Sequence, residues 1–394
     1  MVPIMRTTTR PGRRARPLAR HAVPVITPAP SAVPNAASQP APDHHHTVRR
    51  DLIVVGASAG GLEALIGLVA GLPPDFAAAV CVVLHTAPSG PGRLPTILQR
   101  ASALPVAHGE DGEPLLPGRV YVARPDHHLL VDADVLRVTR GPRENHTRPA
   151  LDPLFRSAAL ARGPRVVGVV LTGLLDDGAA GLRAVKLRGG TAVVQDPAQA
   201  LYPDMPRNAM RAVAVDHVVG LSALPSLLVE LVREPASNGV APMPDRLDEE
   251  LRIEVRIAKE ENALQAGVME LGPPTPYTCP ECHGVLLQLS NDPAPRFRCH
   301  TGHAFTLDAL LSTVTQSVEE TLWSGLRAIE ESVLLLREMA RHAREANDPV
   351  AADRFDERAT AAAARGELVR RAALKARVVS QENVAGAPPA LMPG

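Results

Sequence analysis

The sequence predicts an α/β chain: a three-layer domain with a mostly parallel sheet and helices on both faces, followed by a small zinc-ribbon-like module and a C-terminal helical hairpin. Three observations predict it. Short β-branched runs alternate with longer amphipathic stretches from Asp51 to Val232, as repeated strand-helix units require. Cys279-x2-Cys282 and Cys299-x3-His303, with sixteen residues between the pairs, have the spacing of two metal knuckles around a short hairpin. From Val318 onward, Leu322, Leu326, Ile329, Val333 and Leu336 fall three or four apart and make one helical apolar stripe.

Taken in order, strands are expected over 52–55, 80–84, 120–123, 166–171, 192–194 and 213–219. Helices are expected over 61–72, 95–103, 152–161, 179–187 and 224–232. Strands that read as near-continuous apolar runs, such as 166–171, belong in a parallel sheet covered on both faces. A Pro/Asn/Gly-bearing stretch over 234–244 ends this domain, and a charged helix near 247–264 precedes the prolines at 273, 274 and 276. Asn347-Asp348-Pro349 breaks the long helical pattern, and a second Ala/Arg/Glu-rich helix runs to about Lys375, so the two form an antiparallel pair. The expected division is a disordered arm over 1–48, the α/β domain over 49–233, a linker with a charged helix over 234–276, the cysteine module over 277–306, the hairpin over 307–378 and a disordered tail over 379–394.

Composition narrows the function. In 394 residues, 42 Lys plus Arg balance 42 Asp plus Glu and aromatics are only 2%, so neither a basic field nor stacking side chains are available for nucleic acid. The first 48 residues hold nine prolines and six arginines against one acid, Asp43, without a periodic apolar pattern to offset ordering entropy. Prolines at 24, 28 and 30 interrupt the one stretch that could resemble a signal peptide core, and no later run approaches the roughly 20 apolar residues of a membrane span. A cytoplasmic protein without membrane insertion is the expectation.

The chemistry begins at Gly56-x-Ser58-x-Gly60, where an apolar strand turns into a helix. Small neighbours allow a sharp turn that lifts the Ser58 hydroxyl above the sheet beside helix N–H groups. Three readings fit the turn alone: a nucleophile, a phosphate cradle, or glycines that let strand and helix pack. A dinucleotide site wants a third glycine pattern and an acid after the second strand, yet Ser58 and His85 stand at those places, and no Gly-Lys-Ser/Thr follows for a P-loop. A serine nucleophile needs a base, and the base a carboxylate. His85 and Asp177 supply both types at the carboxyl ends of two further strands, the edge where the catalytic groups of an open parallel sheet collect.

With these residues in hand, the sequence resembles the catalytic domain of chemotaxis protein-glutamate methylesterases, the CheB family. The resemblance runs from about Asp51 to Val232 in five ordered blocks: V-V-G-A-S-A-G-G-L at 54–62, V-L-H-T at 83–86, R-P-A-L-D-P-L-F-R-S-A-A at 148–159, V-V-L-T-G-L-L-D-D-G-A-A-G-L at 169–182 and M-P-R-N-A-M at 205–210. It implies that Ser58 is the nucleophile, His85 its base and Asp177 the orienting carboxylate, with the backbone N–H groups of Ala59 and Leu174 as the oxyanion hole. It implies hydrolysis of glutamate γ-methyl esters on the cytoplasmic helices of chemoreceptors, and often deamidation of receptor glutamines, with no catalytic cofactor. Two departures stand out: threonine is common where Ala59 stands, and T-G-M-G-N-D-G is common where Thr172 to Gly178 reads T-G-L-L-D-D-G, making Asp176 a rival carboxylate. Family members usually carry an N-terminal receiver domain; 48 tail residues stand there in this sequence, so constitutive activity or control through the C-terminal region is expected. The nearest alternatives are a hydrolase of another protein ester or amide, and a catalytically idle adaptor that binds signalling partners through the cysteine module and helices.

Cys279, Cys282, Cys299 and His303 are expected to hold a structural zinc, with His300 or His283 as substitutes for the fourth ligand. A closed four-ligand site is structural rather than catalytic. His127 and His128 in Pro125-Asp-His-His are expected to be surface or loop-packing residues, and Cys81 an inert thiol inside a strand.

Overall fold

The computed structural model describes residues 48–236, 243–289 and 294–384, with side chains as far as Lys375. The arm over 1–48, apart from Val48, and most of the tail over 379–394 lie outside the described residues.

In chain order the α/β part comprises β1 (Leu52–Ala57), α1 (Gly61–Ala70), β2 (Ala79–Leu84), α2 (Leu94–Gln99), β3 (Val106–His108), β4 (Val120–Val122), β5 (His128–Asp132), β6 (Val135–Thr139), α3 (Leu151–Arg162), β7 (Val166–Val170), α4 (Ala179–Leu187), β8 (Thr191–Gln195), α5 (Asp204–Ala212), β9 (His217–Val219) and α6 (Leu224–Arg233). Seven of these strands form one sheet in the order β3-β4-β2-β1-β7-β8-β9, every pair parallel. Alternation along β1 divides the core. Leu52 and Val54 pack with Leu154 and Phe155 of α3 and Leu182 of α4, while Ile53 and Val55 pack with Leu65 and Leu68 of α1 and Leu228 of α6 on the other face. The expected three-layer fold is therefore present.

Some elements depart from the sequence reading. β5 and β6 form an antiparallel hairpin turned by Asp132-Ala133-Asp134, with Ala133 at φ 52°; no Asn-Gly or Asp-Gly marks the turn, so its sequence signal is absent. The strand expected over 213–219 shrinks to β9 because the Val213 N–H continues α5, donating to the Ala209 carbonyl at 3.1 Å.

Beyond come α7 (Asp245–Ala258), β10 (Pro274–Thr278), β11 (Val285–Gln288), β12 (Arg296–Cys299), β13 (Ala304–Thr306), α8 (Leu307–Glu345) and α9 (Pro349–Val384). α7 is no free linker: Leu251 and Val255 pack onto the α3 side of the sheet, and Ile253 and Ile257 onto Leu287 and Leu289. β10 to β13 form an antiparallel four-stranded sheet. α8 and α9 make the expected hairpin, turned at Asn347 with φ 57°, and Asp348 Oδ1 accepts the Ala351 N–H at 3.0 Å to start α9. The α8 stripe is buried at Leu326 and Val333 but exposed at Val318, so α9 covers only its distal part. No helix among the described residues is long and apolar enough to cross a membrane.

Candidate active site and metal-ligand cluster

Ser58 leaves β1 at the carboxyl edge of the sheet. Its N–H donates to the Thr172 carbonyl at 3.0 Å, and Gly60, at φ 70°, turns the chain into α1. His85 directly follows β2, with its N–H on the Ala57 carbonyl at 3.2 Å. Adjacent parallel strands thus deliver the two residues side by side. Asp177 arrives differently: it lies seven residues past β7, in the loop that enters α4 through Gly178 at φ 93°.

The three side chains meet. Ser58 Oγ is 3.1 Å from His85 Nδ1, and His85 Nε2 is 2.7 Å from Asp177 Oδ2. With the proton on Nε2 donated to the Asp177 carboxylate, Nδ1 offers its lone pair to the serine hydroxyl. Asp177 is only 3% exposed. Its Oδ2 also accepts the Leu151 N–H at 2.7 Å and its Oδ1 the Asp152 N–H at 3.4 Å, so the carboxylate sits on the N-terminus of α3, where anions are favoured. Thr147 Oγ1 lies 3.5 Å from His85 Nε2, a neighbour the sequence reading did not include.

Asp177, rather than Asp176, is the carboxylate hydrogen-bonded to His85. Asp176 Oδ1 instead accepts the Thr306 hydroxyl at 2.7 Å, and burial pushes its carboxyl up to about 6. Asp152, in the first turn of α3, likewise has its carboxyl pushed up by burial and then by the Asp177 charge.

The loop over 172–174 packs against Ser58: a Cβ on Gly173 would come within 2.8 Å of Ser58 Cβ and 2.0 Å of Met205 Sδ. Among the described residues, neither the Ala59 nor the Leu174 N–H donates to a backbone carbonyl.

Cys279, Cys282, Cys299 and His303 converge, with their ligand atoms all within 4.8 Å of one another. Cys282 and Cys299 sulfurs are 3.6 Å apart, and His303 Nδ1 is 3.6 Å from Cys299 and 3.8 Å from Cys279. Tetrahedral zinc with Zn–S about 2.3 Å and Zn–N about 2.0–2.1 Å puts its ligands roughly 3.6–3.8 Å apart, so this donor set fits a metal of that kind. His300 and His283 are not part of the cluster.

A buried ionic network joins the two parts of the chain. Arg298 of β12 pairs with Glu144 at 2.8 Å and with Glu254 of α7 at 2.9 Å, while Arg156 of α3 pairs with Glu144 at 2.5 Å. Burial opposes the charge on Glu144, but the adjacent Arg156 and Arg298 guanidinium groups outweigh it and hold the carboxyl well below the usual range. His128 opens β5 and is buried, with Nε2 3.0 Å from the Pro142 carbonyl, so it packs rather than reaching the surface. The thiol of Cys81 is buried in β2, and burial pushes it far up, as an inert thiol requires.

A Ser-His-Asp chain of hydrogen bonds at the carboxyl edge of a three-layer α/β sheet is the arrangement of a serine hydrolase. A family model described as CheB methylesterase matches residues 53–228, and the chain belongs to that family. It is similar to a relative from Leptospira interrogans whose name carries protein-glutamate methylesterase and protein-glutamine glutaminase activities, 37% identical over 182 residues, which are 46% of this chain and 94% of the relative. It is also similar to the protein-glutamate methylesterase/protein-glutamine glutaminase 2 of Anaeromyxobacter dehalogenans, 41% identical over 47% of this chain and 54% of that protein, so it spans about half of that relative's length. The solved catalytic domain of Thermotoga maritima CheB methylesterase is matched over 100% of its length and 47% of this chain, at 33% identity and TM-score 0.46.

Proposed function

We propose that this chain is a cytoplasmic protein-glutamate methylesterase, removing methyl esters from glutamate side chains on the cytoplasmic helices of chemoreceptors, with glutamine deamidation as a related activity. The observation that carries the reading is the continuous path from Ser58 Oγ through His85 to Asp177, at 3.1 and 2.7 Å. Ser58 Oγ attacks the ester carbonyl while His85 Nδ1 takes its proton; the C–O bond to methoxide breaks as that proton is passed on, and methanol leaves. Water, deprotonated by the same nitrogen, then cleaves the acyl-serine and restores the hydroxyl. Asp177 keeps the imidazole in the tautomer this requires and stabilises its charged form. The N–H groups of Ala59 and Leu174 are assigned to the oxyanion, where one donor is worth about 3–4 kcal/mol of barrier.

The Cys279-Cys282-Cys299-His303 cluster is assigned a structural zinc. A bound ion would fill all four positions with protein ligands and so stabilise the β10–β13 sheet without entering the reaction. The test of function is methanol release from membranes bearing methylated chemoreceptors. Wild type is expected to release it and Ser58→Ala to release none; wild type without release, in the presence of methylated receptor, would overturn the substrate assignment.

A further inference from the structure

We propose that Thr306, the last residue of β13, is a positioning residue for the active site, tying the catalytic loop over 172–178 to the sheet that carries the metal-ligand cluster. The proposal rests on the serine-hydrolase reading of Ser58, His85 and Asp177.

The Thr306 hydroxyl has one proton to give and lone pairs to receive with. Its Oγ1 accepts the Ala309 N–H at 3.2 Å, as the N-cap of α8, which leaves its proton for Asp176 Oδ1 at 2.7 Å. Asp176 precedes Asp177 directly, so the backbone of the carboxylate that orients His85 is anchored one residue away from it. The same strand holds a second loop. Thr306 N–H donates to Asn145 Oδ1 at 2.9 Å, Asn145 N–H donates to the Ala304 carbonyl at 2.9 Å, and Ala304 N–H to the Arg143 carbonyl at 3.2 Å. That loop turns through Glu144 and Thr147, whose hydroxyl donates to the Glu144 carbonyl at 2.9 Å and stands 3.5 Å from His85 Nε2.

Two loops that approach the same imidazole nitrogen are therefore fastened to one three-residue strand. Both ties cross long stretches of chain, and in the Thr306 to Asp176 bond Thr306 is buried and Asp176 half-buried, so the bond is partly shielded from water. β13 begins next to His303, and the Cys299 N–H donates to the His303 carbonyl at 3.0 Å, so the strand's position follows from the fold of the cysteine module. Misplacement of a catalytic group by an ångström commonly costs about a hundredfold in rate. Thr306 touches neither substrate nor reacting atoms; it acts through Asp176 and the loop that bears Asp177.

The test is the rate at which a fluorophosphonate labels Ser58 in the full chain, paired with kcat and KM for methyl-ester hydrolysis. Three variants separate the effects: Thr306→Val removes the hydroxyl, Thr306→Ser keeps it, and Asp176→Ala removes the acceptor while leaving the α8 cap in place. The Val and Ala variants are expected to slow labelling and lower kcat by about tenfold or more with KM within about twofold, and Thr306→Ser to recover most of the rate. Asp176→Ala labelling at the wild-type rate would overturn the proposal, whether or not Thr306→Val folds. A wild type that does not label at all would overturn the hydrolase reading itself, and the proposal with it.

Discussion

Replacing Asp177 with Asn separates the orienting carboxylate from the residue beside it. Asp177 Oδ2 accepts from both His85 Nε2 and the Leu151 N–H, each at 2.7 Å. An amide oxygen in that place can keep both bonds, so the variant removes chiefly the charge that faces the imidazolium formed during attack. With charge centres about 4 Å apart and an effective dielectric near 20, that interaction is worth about 4 kcal/mol, or roughly 10³ in rate. The neutral imidazole of the ground state gains much less from the charge, so the loss should fall on kcat, with KM little changed. The charge also sits on the N-terminus of α3, and its removal there should cost about 0.5–1 kcal/mol of stability, read by urea unfolding. Asp176→Asn is the control: its amide oxygen still accepts the Thr306 hydroxyl, and the expected rate loss stays below about tenfold. Methyl-ester turnover and Ser58 labelling should agree. A loss under tenfold for Asp177→Asn, or an equal loss for Asp176→Asn, would refute the assignment of Asp177.

Glu144→Gln removes one of the two buried carboxylates that Arg156 and Arg298 share, with Glu254 still in place; a stability loss of about 1.5–3 kcal/mol is expected by urea unfolding, and no measurable loss would show the Glu144 pairs to be incidental. Asp176 has its carboxyl raised from 3.8 to about 6 by burial. The folded state thus binds that proton more tightly than the unfolded state: the stability it contributes is complete below about pH 4 and is lost as pH rises through about 6, by up to about 3 kcal/mol. Wild type should therefore lose stability over that window relative to Asp176→Asn, and parallel pH profiles would contradict this. Purified chain should retain about one zinc after dialysis and Cys282→Ser much less, with a lower melting temperature for the latter; equal metal content by mass spectrometry would remove Cys282 from the ligand set.

Local pattern made part of this site legible and left the rest hidden. Ser58 and His85 follow apolar strands that pair in register, so the sequence order of strand, turn and helix already sets them on one edge. The knuckle ligands are legible for a similar reason: each pair lies within five residues of chain, and their side-chain types name the chemistry. Asp176 and Asp177 could not be told apart by position, because both belong to one loop and only their partners, Thr306 and His85, distinguish them. Those partners stand 130 and 92 residues away. Glu144 and Arg298 are 154 residues apart and of ordinary type, so no periodicity exposes their pairing; it exists because α7 packs one face on α3 and the other on the β10–β13 sheet.

That packing changes what the cysteine module is to the α/β domain. Read along the chain, 234–276 is a Pro-broken connection and the module an appendage. In the structure, the buried carboxylates of Glu144 and Glu254 and the buried guanidinium groups of Arg156 and Arg298 join the parts, and charges removed from water this way are costly unless every partner is held in place. A module that moved freely on a linker would have to pay that desolvation each time it docked. The network, the α7 core and the two strand-to-loop ties instead make the module one wall of the catalytic loops, so the order of the Cys279-Cys282-Cys299-His303 cluster and the geometry around His85 should change together.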